Sequence, residues 1–269
     1  MIKLIATDLD GTLLSKGSEI PQENIDALRR AMDAGILVTL ASGRMVEATL
    51  PIAKKIGVNA PLVLFNGGMV YDMKNGRALR GRVIPRKTAV AVLARLEALG
   101  AYTHAFPGRG YYLEDRCAWT DYYENKIGVY GTRIGMPLSE WLEQDVYKLL
   151  TLGEPDQLDE VISTLQPEFA ELSFVKSGKT HLEIVPMGVD KAMGMRGVSE
   201  VTGIAPEEMM AFGDEMNDLP MLEYCGVSYV MENAPETMRQ KFRRVAPRNT
   251  DHGVARIINR YLDEGRMGG

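Results

Sequence analysis

The chain has 269 residues, of which 45% are hydrophobic and 25% are charged, and its formal net charge is −5 at pH 7. This length and balance are typical of a globular protein with one large domain or two. The acidic charge argues against a nucleic-acid or anionic-membrane partner, and the two cysteines, without a CxxC or Cys/His cluster, argue against a zinc site or a disulfide framework. The N-terminal apolar run is short and interrupted by acids, and no run of about 18 apolar residues is present, so we expect a cytoplasmic protein.

The first part of the chain alternates between strands and helices. Residues 2–7, 36–41 and 62–65 are short apolar runs typical of strands. Residues 21–34 have apolar side chains at helical spacing, with Pro21 in the first turn and Gly35 after the last. Short apolar strands separated by helices predict a parallel sheet that is covered on both faces.

The pattern changes near residues 81–87 and returns after residue 186. Between these points we predict helices at 86–99 and 155–165 and strands at 101–106, 110–114, 146–153 and, around a Ser-Gly-Lys turn, within 171–186. Beyond them we predict a strand at 209–214 and helices at 190–201, 219–224, 235–242 and 253–262. The predicted fold is therefore an α/β protein with a doubly wound, Rossmann-like parallel-sheet core at 1–83 and 186–269, and an inserted α/β domain at 84–185.

Two acids follow the first strand directly, since Asp8 and Asp10 precede Gly11 and Thr12. A simple turn is one explanation, because Gly after Asp is ordinary turn chemistry. A calcium-binding loop is another, but the sixth position is Leu13 where that loop needs Gly, and a strand precedes it where a helix should. Two buried acids otherwise need a cation, a shared proton or solvent.

Three further strand ends carry polar side chains, and the carboxyl ends of parallel strands converge on one crevice. Singly, each could be a helix cap or an exposed lysine; together they could hold Mg²⁺ through carboxylates and a phosphate through a lysine, a hydroxyl and backbone N–H groups. A metal would also offset the repulsion between a carboxylate and a phosphate, which is about 4 kcal/mol per pair of unit charges about 4 Å apart at an effective dielectric of 20. These residues are Ser42, Gly43, Arg44, Lys191, Asp214, Asn217 and Asp218.

The motifs DLDGT, ASGR, Lys191 and GDEMND, in this order, resemble the four motifs of the haloacid dehalogenase (HAD) superfamily of phosphatases. The insertion between the second and third motifs, the NGG at Asn66 to Gly68 and the stretch LEIVPMGVDK resemble the Cof-type subclass (IIB), which has an α/β cap. The resemblance covers the whole chain. One departure is Ala192, where the subclass usually has Gly after the lysine.

The resemblance implies a role for each acid. Asp8 is expected to be the nucleophile that becomes a phosphoaspartate. Asp10 is expected to protonate the leaving group and then activate water, while its backbone carbonyl binds Mg²⁺. Asp214 is expected to complete the metal site, with Asp218 in it or next to it.

The resemblance also implies which residues bind the phosphate. Ser42, Lys191 and Asn217 are expected to hold its oxygens, helped by backbone N–H groups near Leu9 and Gly43. Beyond the phosphate, Arg44 and Asn66 are candidates for contact with substrate. Polar residues near the predicted loop tips or strand ends of the insertion could also face the substrate, but each is equally explained as a surface or structural residue; they are His104, Arg109, Tyr111 and, in the SGKTH turn that is the first choice, Lys179 and His181.

The expected function is that of a Mg²⁺-dependent phosphatase of small phosphorylated metabolites, such as sugar phosphates. A phosphomutase, or a specialised phosphatase such as one for phosphoglycolate, uses the same motifs. A phospho-accepting receiver domain is a different class, but it needs about half this length and its phosphorylated Asp does not follow the first strand. A catalytically silent binding protein is expected to lack Asp8 or Asp10, and both are present. No nucleic-acid or membrane partner is expected, and the sequence indicates no oligomeric state.

Overall fold

A computed structural model describes residues 1–15 and 19–267, and the chain in it divides into two units. Unit 1 comprises residues 1–44 and 49–80 and the chain from residue 190 onward; unit 2 comprises residues 45–48 and 81–189. The domain bounds expected from the sequence, with an insertion at 84–185, stay a prediction.

The strands are β1 (Leu4–Thr7), β2 (Leu37–Leu40), β3 (Leu62–Leu64), β4 (Met69–Asp72), β5 (Arg77–Gly81), β6 (Tyr102–Phe106), β7 (Tyr112–Leu113), β8 (Thr132–Arg133), β9 (Lys148–Leu152), β10 (Leu172–Gly178), β11 (His181–Pro186), β12 (Met209–Gly213), β13 (Val227–Met231) and β14 (Val245–Ala246). The helices are α1 (Gln22–Asp33), α2 (Val46–Ile56), α3 (Arg86–Ala98), α4 (Ala118–Ile127), α5 (Leu138–Trp141), α6 (Pro155–Leu165), α7 (Lys191–Thr202), α8 (Leu219–Tyr224), α9 (Glu236–Arg239) and α10 (Gly253–Asp263).

Unit 1 is built on a five-stranded sheet in the order β14-β13-β12-β1-β2, in which every neighbouring pair is parallel. Its strands β1 and β12 are buried along their whole length because apolar side chains cover them, including those of Met195 and Val198 on α7. A second, three-stranded sheet has the order β3-β4-β5. The predicted α/β class with a parallel-sheet core is confirmed.

Unit 2 contains a six-stranded sheet in the order β10-β11-β9-β6-β7-β8, which is antiparallel except for the β7–β8 pair. Its own apolar core includes Val92 of α3, Val161 of α6, Leu149 of β9 and Ile184 of β11. The hairpins expected from the sequence in this segment are present as the antiparallel pairs β6–β7 and β10–β11.

Several elements differ from the sequence predictions. The bounds of α6 and α8 agree with them, whereas the helix predicted at 235–242 is the shorter α9. The sequence analysis did not find α2, whose interior Pro51 interrupts a helical pattern, or the strand β13 and the helix α4. Among the described residues, every helix is too short or too polar to cross a membrane.

Candidate active site

The segment after β1 forms one wide turn. Asp8 follows the strand, and the turn at Leu9–Leu13 is closed by the N–H of Leu14, which donates to the carbonyl of Leu9 at 2.8 Å. Gly11 has φ +82°, and a Cβ there would lie 2.2 Å from Oδ2 of Asp214. Only glycine fits this conformation and this close approach. The turn therefore lies directly against the end of β12.

Three carboxylates come together at these strand ends. Asp8, Asp214 and Asp218 are buried, and each offers an oxygen atom within 4.8 Å of those of the other two. Thr12 is also buried, and its Oγ1 donates a hydrogen bond of 2.7 Å to Oδ1 of Asp214. The convergence of parallel strand ends thus brings together acids that are about 200 residues apart in the chain.

Lys191 is the cation of this cluster. It is the first residue of α7 and is completely buried, and its Nζ donates to Oδ1 of Asp8 at 2.6 Å and to Oδ1 of Asp218 at 2.5 Å. Asp190 caps the helix by accepting a hydrogen bond from the N–H of Met193 at 2.7 Å. The capping explanation therefore holds for Asp190, whereas Lys191 is not an exposed lysine.

Asp218 supports the cluster with both of its oxygens. Its Oδ2 accepts hydrogen bonds from the N–H groups of Asp214 (2.9 Å) and Glu215 (3.0 Å), while its Oδ1 accepts the one from Lys191. Because both oxygens of Asp218 already accept hydrogen bonds, Asp8 and Asp214 are better placed than Asp218 to bind a further cation.

Burial perturbs the titration of the cluster. Burial raises the pKa of Asp8 well above its usual range. The charge of Lys191 lowers this pKa, and the charges of Asp218 and Asp214 raise it further. Burial also raises the pKa of Asp214 to about 7. For Lys191, burial disfavours the ammonium, but the carboxylates of Asp218 and Asp8 outweigh it and raise its pKa. When all three carboxylates are ionised, the single ammonium of Lys191 does not offset their negative charge.

This donor set fits Mg²⁺. Three buried carboxylates face one ammonium, and their oxygens are the hard ligands that this ion prefers. Asp8 and Asp214 are the side chains best placed to hold it, with Asp218 beside them. The carboxylate of Asp10 is not part of this cluster; only its backbone carbonyl was expected to bind the metal.

The side chain of Asp10 is paired with Arg44 instead. Nε of Arg44 donates to Oδ2 of Asp10 at 2.8 Å, and a terminal nitrogen donates to Oδ1 at 2.5 Å. The side chain of Asp10 is 56% exposed and that of Arg44 is 10% exposed. A two-point contact of this kind fixes both groups in one orientation. Arg44, expected from the sequence to contact substrate, contacts Asp10 in the structure.

The other predicted phosphate ligands form a connected group. Ser42 is buried, and its Oγ accepts a hydrogen bond from the N–H of Arg44 at 3.1 Å, while its carbonyl accepts one from the N–H of Asn66 at 3.0 Å. Nδ2 of Asn217 donates to Oδ1 of Asn66 at 3.1 Å, and a Cβ on Gly43 would lie 3.0 Å from the Asn66 amide. Asn66 has φ +54°, a strained conformation of the kind found at functional sites.

The remaining candidates lie in unit 2. Lys179 is exposed in the turn between β10 and β11, and His181, which begins β11, is buried and bonded through Nδ1 to the hydroxyl of Thr180 at 3.0 Å. Their roles as substrate contacts stay predictions. His104 is buried with its ring centroid 4.8 Å from that of Tyr111, and burial lowers its pKa to about 3, which favours a structural role.

Two residues of this site were missed by the sequence analysis. Thr12 lies inside the DLDGT motif, so the motif itself was a signal for it. Asn233, whose Nδ2 donates to the carbonyl of Gly11 at 2.8 Å, follows the unpredicted strand β13.

A family model for haloacid dehalogenase-like hydrolases matches residues 5–258 of the chain. The chain belongs to this family. Relatives include the 5-amino-6-(5-phospho-D-ribitylamino)uracil phosphatase of Bacillus subtilis, 28% identical over 97% of this chain and 98% of that protein. The HMP-PP phosphatase of Yersinia pseudotuberculosis is 29% identical over 97% of this chain and 96% of that protein. The crystal structure of a haloacid dehalogenase-like hydrolase from Bacteroides thetaiotaomicron has a TM-score of 0.90 and 26% identity over 97% of this chain and 99% of that one.

These matches confirm two predictions for this HAD hydrolase. The resemblance to the Cof-type branch of the superfamily is correct, and the enzyme class is that of a phosphatase, a phosphoric monoester hydrolase.

Proposed function

We propose that this chain is a Mg²⁺-dependent phosphatase that hydrolyses small phosphorylated metabolites through a phosphoaspartate at Asp8. The observation that carries the proposal is the buried cluster in which Lys191 bonds to Asp8 at 2.6 Å beside Asp214. Transfer of a phosphoryl group to a carboxylate requires positive charge at the nucleophile and oxygen ligands for a metal, and this cluster provides both. The names of two relatives, which refer to a phosphoribitylaminouracil and to HMP-PP, support a small phosphorylated substrate.

In the first half-reaction, an oxygen of Asp8 attacks phosphorus and the bond to the ester oxygen breaks. Asp10, in its acid form and released from Arg44, gives its proton to the leaving oxygen, which departs as an alcohol. Lys191 orients Asp8 and offsets the charge of the phosphate, and Ser42 and Asn217 donate hydrogen bonds to its other oxygens.

In the second half-reaction, water attacks the phosphorus of the phosphoaspartate. Asp10 accepts the proton of that water, the bond between phosphorus and the Asp8 oxygen breaks, and inorganic phosphate leaves. Asp8 is a carboxylate again and Asp10 is again an acid. When bound, Mg²⁺ supplies further positive charge that reduces the repulsion between Asp8 and the phosphate.

Removal of the metal is expected to abolish turnover. A panel of phosphate esters that includes p-nitrophenyl phosphate and glycerol 1-phosphate should release inorganic phosphate with Mg²⁺ and none after chelation, and added Mg²⁺ should restore the activity. Calcium should bind and support little turnover, because it prefers more ligands and looser geometry than in-line transfer tolerates.

The matched control is the Asp214→Asn variant, which loses a metal ligand and keeps the shape and the acceptor for Thr12. It should need far more Mg²⁺ for half-maximal activity, and added Mg²⁺ should raise its melting temperature less than that of the wild type. Full turnover after exhaustive chelation would contradict the metal assignment.

We further propose that residues 84–185 select the leaving group. Unit 2 has its own sheet and its own apolar core, as expected for a segment that varies independently of the catalytic residues of unit 1. Replacing residues 84–185 with the corresponding segment of a relative should change the order of preference within the ester panel while phosphoenzyme formation at Asp8 persists. A preference that stays with unit 1 would place substrate selection there instead.

A further inference from the structure

The turn after β1 is held by three asparagine side chains, one from α1 and two from the C-terminal part of unit 1. Nδ2 of Asn233 donates to the carbonyl of Gly11 at 2.8 Å, Nδ2 of Asn24 to that of Leu13 at 2.9 Å, and Nδ2 of Asn249 to that of Leu14 at 2.8 Å. The three carbonyls lie within residues 11–14, at the turn and its end, so the amides fix its backbone directly.

Asn233 is anchored at both ends of its amide. Its Oδ1 accepts a hydrogen bond of 3.1 Å from the backbone N–H of Asn249, while its Nδ2 bonds to Gly11. Because both polar ends are used, the side chain cannot rotate without losing one of the bonds. Asn233 therefore links the segment after β13 to the turn after β1.

The carbonyl that Asn233 contacts belongs to Gly11, which packs closely against Asp214. Gly11 lies between Asp10 and Thr12 in a left-handed conformation, and the site of its absent Cβ is 2.2 Å from Oδ2 of Asp214. The hydrogen bond to the carbonyl fixes the peptide plane that joins Gly11 to Thr12, and the hydroxyl of Thr12 bonds to Asp214. Rotation of that plane moves the residues on both sides of it.

We propose that Asn233 is a positioning residue for phosphoryl transfer: through the carbonyl of Gly11 it fixes the turn that presents Asp10 and Thr12 beside Asp8. This role rests on the proposed function, in which Asp10 protonates the leaving group. Asn233 touches neither substrate nor metal in this role, and acts only through the backbone of the turn.

The test compares two esters in Asn233→Ala and Asn233→Asp. Asn233→Asp keeps the acceptor for Asn249 and loses the donor to Gly11. A displaced Asp10 matters more for glycerol 1-phosphate, a poor leaving group, than for p-nitrophenyl phosphate, which departs with little protonation. Since small misplacements of catalytic groups can cost about 100-fold, the ratio of kcat/KM for glycerol 1-phosphate to that for p-nitrophenyl phosphate should fall about 10- to 100-fold in both variants.

Asn59→Ala is the matched control. Asn59 also bonds to backbone at both ends of its amide, accepting from the N–H of Val38 at 2.7 Å and donating to the carbonyl of Ile36 at 3.2 Å, at the amino end of β2. Its loss should lower stability without changing the ester ratio, because a smaller folded fraction affects both esters equally. Hydrogen exchange measured on a peptide that covers residues 9–15 should accelerate in the Asn233 variants and not in Asn59→Ala.

Asp10→Asn separates the two proposals. If Asp10→Asn lowers the ester ratio and the Asn233 variants behave like Asn59→Ala, the positioning role is wrong and the proposed function stands. If Asp10→Asn leaves the ratio unchanged, the proposed role of Asp10 is wrong and the positioning role falls with it. If Asn233→Ala does not fold, Asn233→Asp decides between these outcomes.

Discussion

Asp8→Asn is expected to reduce turnover to the background rate of uncatalysed hydrolysis. The amide has no anionic oxygen to attack phosphorus, so no covalent phosphoenzyme can form, whereas the hydrogen-bonding shape beside Lys191 is largely kept. Turnover of p-nitrophenyl phosphate measures the first effect. Mass spectrometry of acid-quenched protein, which detects an added phosphoryl group, measures the second.

Asp10→Asn provides the contrast within the same turn. It keeps the backbone carbonyl and loses the proton donor and the base for water, a role worth typically 10² to 10⁴-fold. Because p-nitrophenol needs little protonation to depart, the phosphoaspartate should still form, while its hydrolysis should be slow. A burst of p-nitrophenol followed by slow turnover is therefore expected for Asp10→Asn and not for Asp8→Asn. A burst in Asp8→Asn, or near wild-type turnover in both, would show that the two roles are assigned wrongly.

The acid cluster could be anticipated because its geometry follows from a general property of parallel sheets. Polar residues after β1 and β12 must lie at one sheet edge once those strands pair in parallel, so Asp8 and Asp214 meet although sequence alone gives no distance between them. Lys191 was anticipated from its motif. Its complete burial was not, since an Asp-Lys pair at a helix start reads equally well as a cap and an exposed lysine.

The supporting contacts could not be anticipated in the same way. Asn233 and Gly11 are separated by 222 positions, and no local pattern indicates that a side-chain amide will meet one particular carbonyl. The two-point contact between Arg44 and Asp10 depends on the side-chain conformations of both residues. Sequence patterns indicate which face of a helix or strand is buried. These contacts instead depend on the positions that the loops take in the folded chain, which no sequence pattern indicates.

Unit 2 shows a different limit of prediction from sequence. The sequence indicated hairpins, and the sheet is mainly antiparallel, but α4 was not predicted. Its apolar periodicity is weak because its buried side chains include Thr120 and Glu124. Glu124 is buried in an ion pair with Arg116, a partner that the helical pattern does not reveal. Polar residues that are buried with partners look like surface residues in a sequence.

Lys191→Met is expected to destabilise unit 1 by about 3–5 kcal/mol, the usual cost of removing one partner of a buried ion pair. Asp8 and Asp218 would both lose their cation, and Lys191 is completely buried, so water cannot replace it without rearrangement. Both tryptophans, Trp119 and Trp141, lie in unit 2, so their fluorescence follows that unit while far-UV circular dichroism follows both. In urea, the dichroism transition should move to lower concentration more than the fluorescence transition does.

A double variant separates the charge effect from loss of packing. In Lys191→Met with Asp218→Asn, one of the two uncompensated charges is gone, and the Asn oxygen can still accept from the N–H groups of Asp214 and Glu215. The double variant should therefore be more stable than the sum of the two single changes allows, and Mg²⁺ should stabilise Lys191→Met more than it stabilises the wild type, because the ion supplies the missing positive charge. Additive losses, or a cost below about 1 kcal/mol for Lys191→Met, would mean that Lys191 contributes packing rather than charge to the cluster.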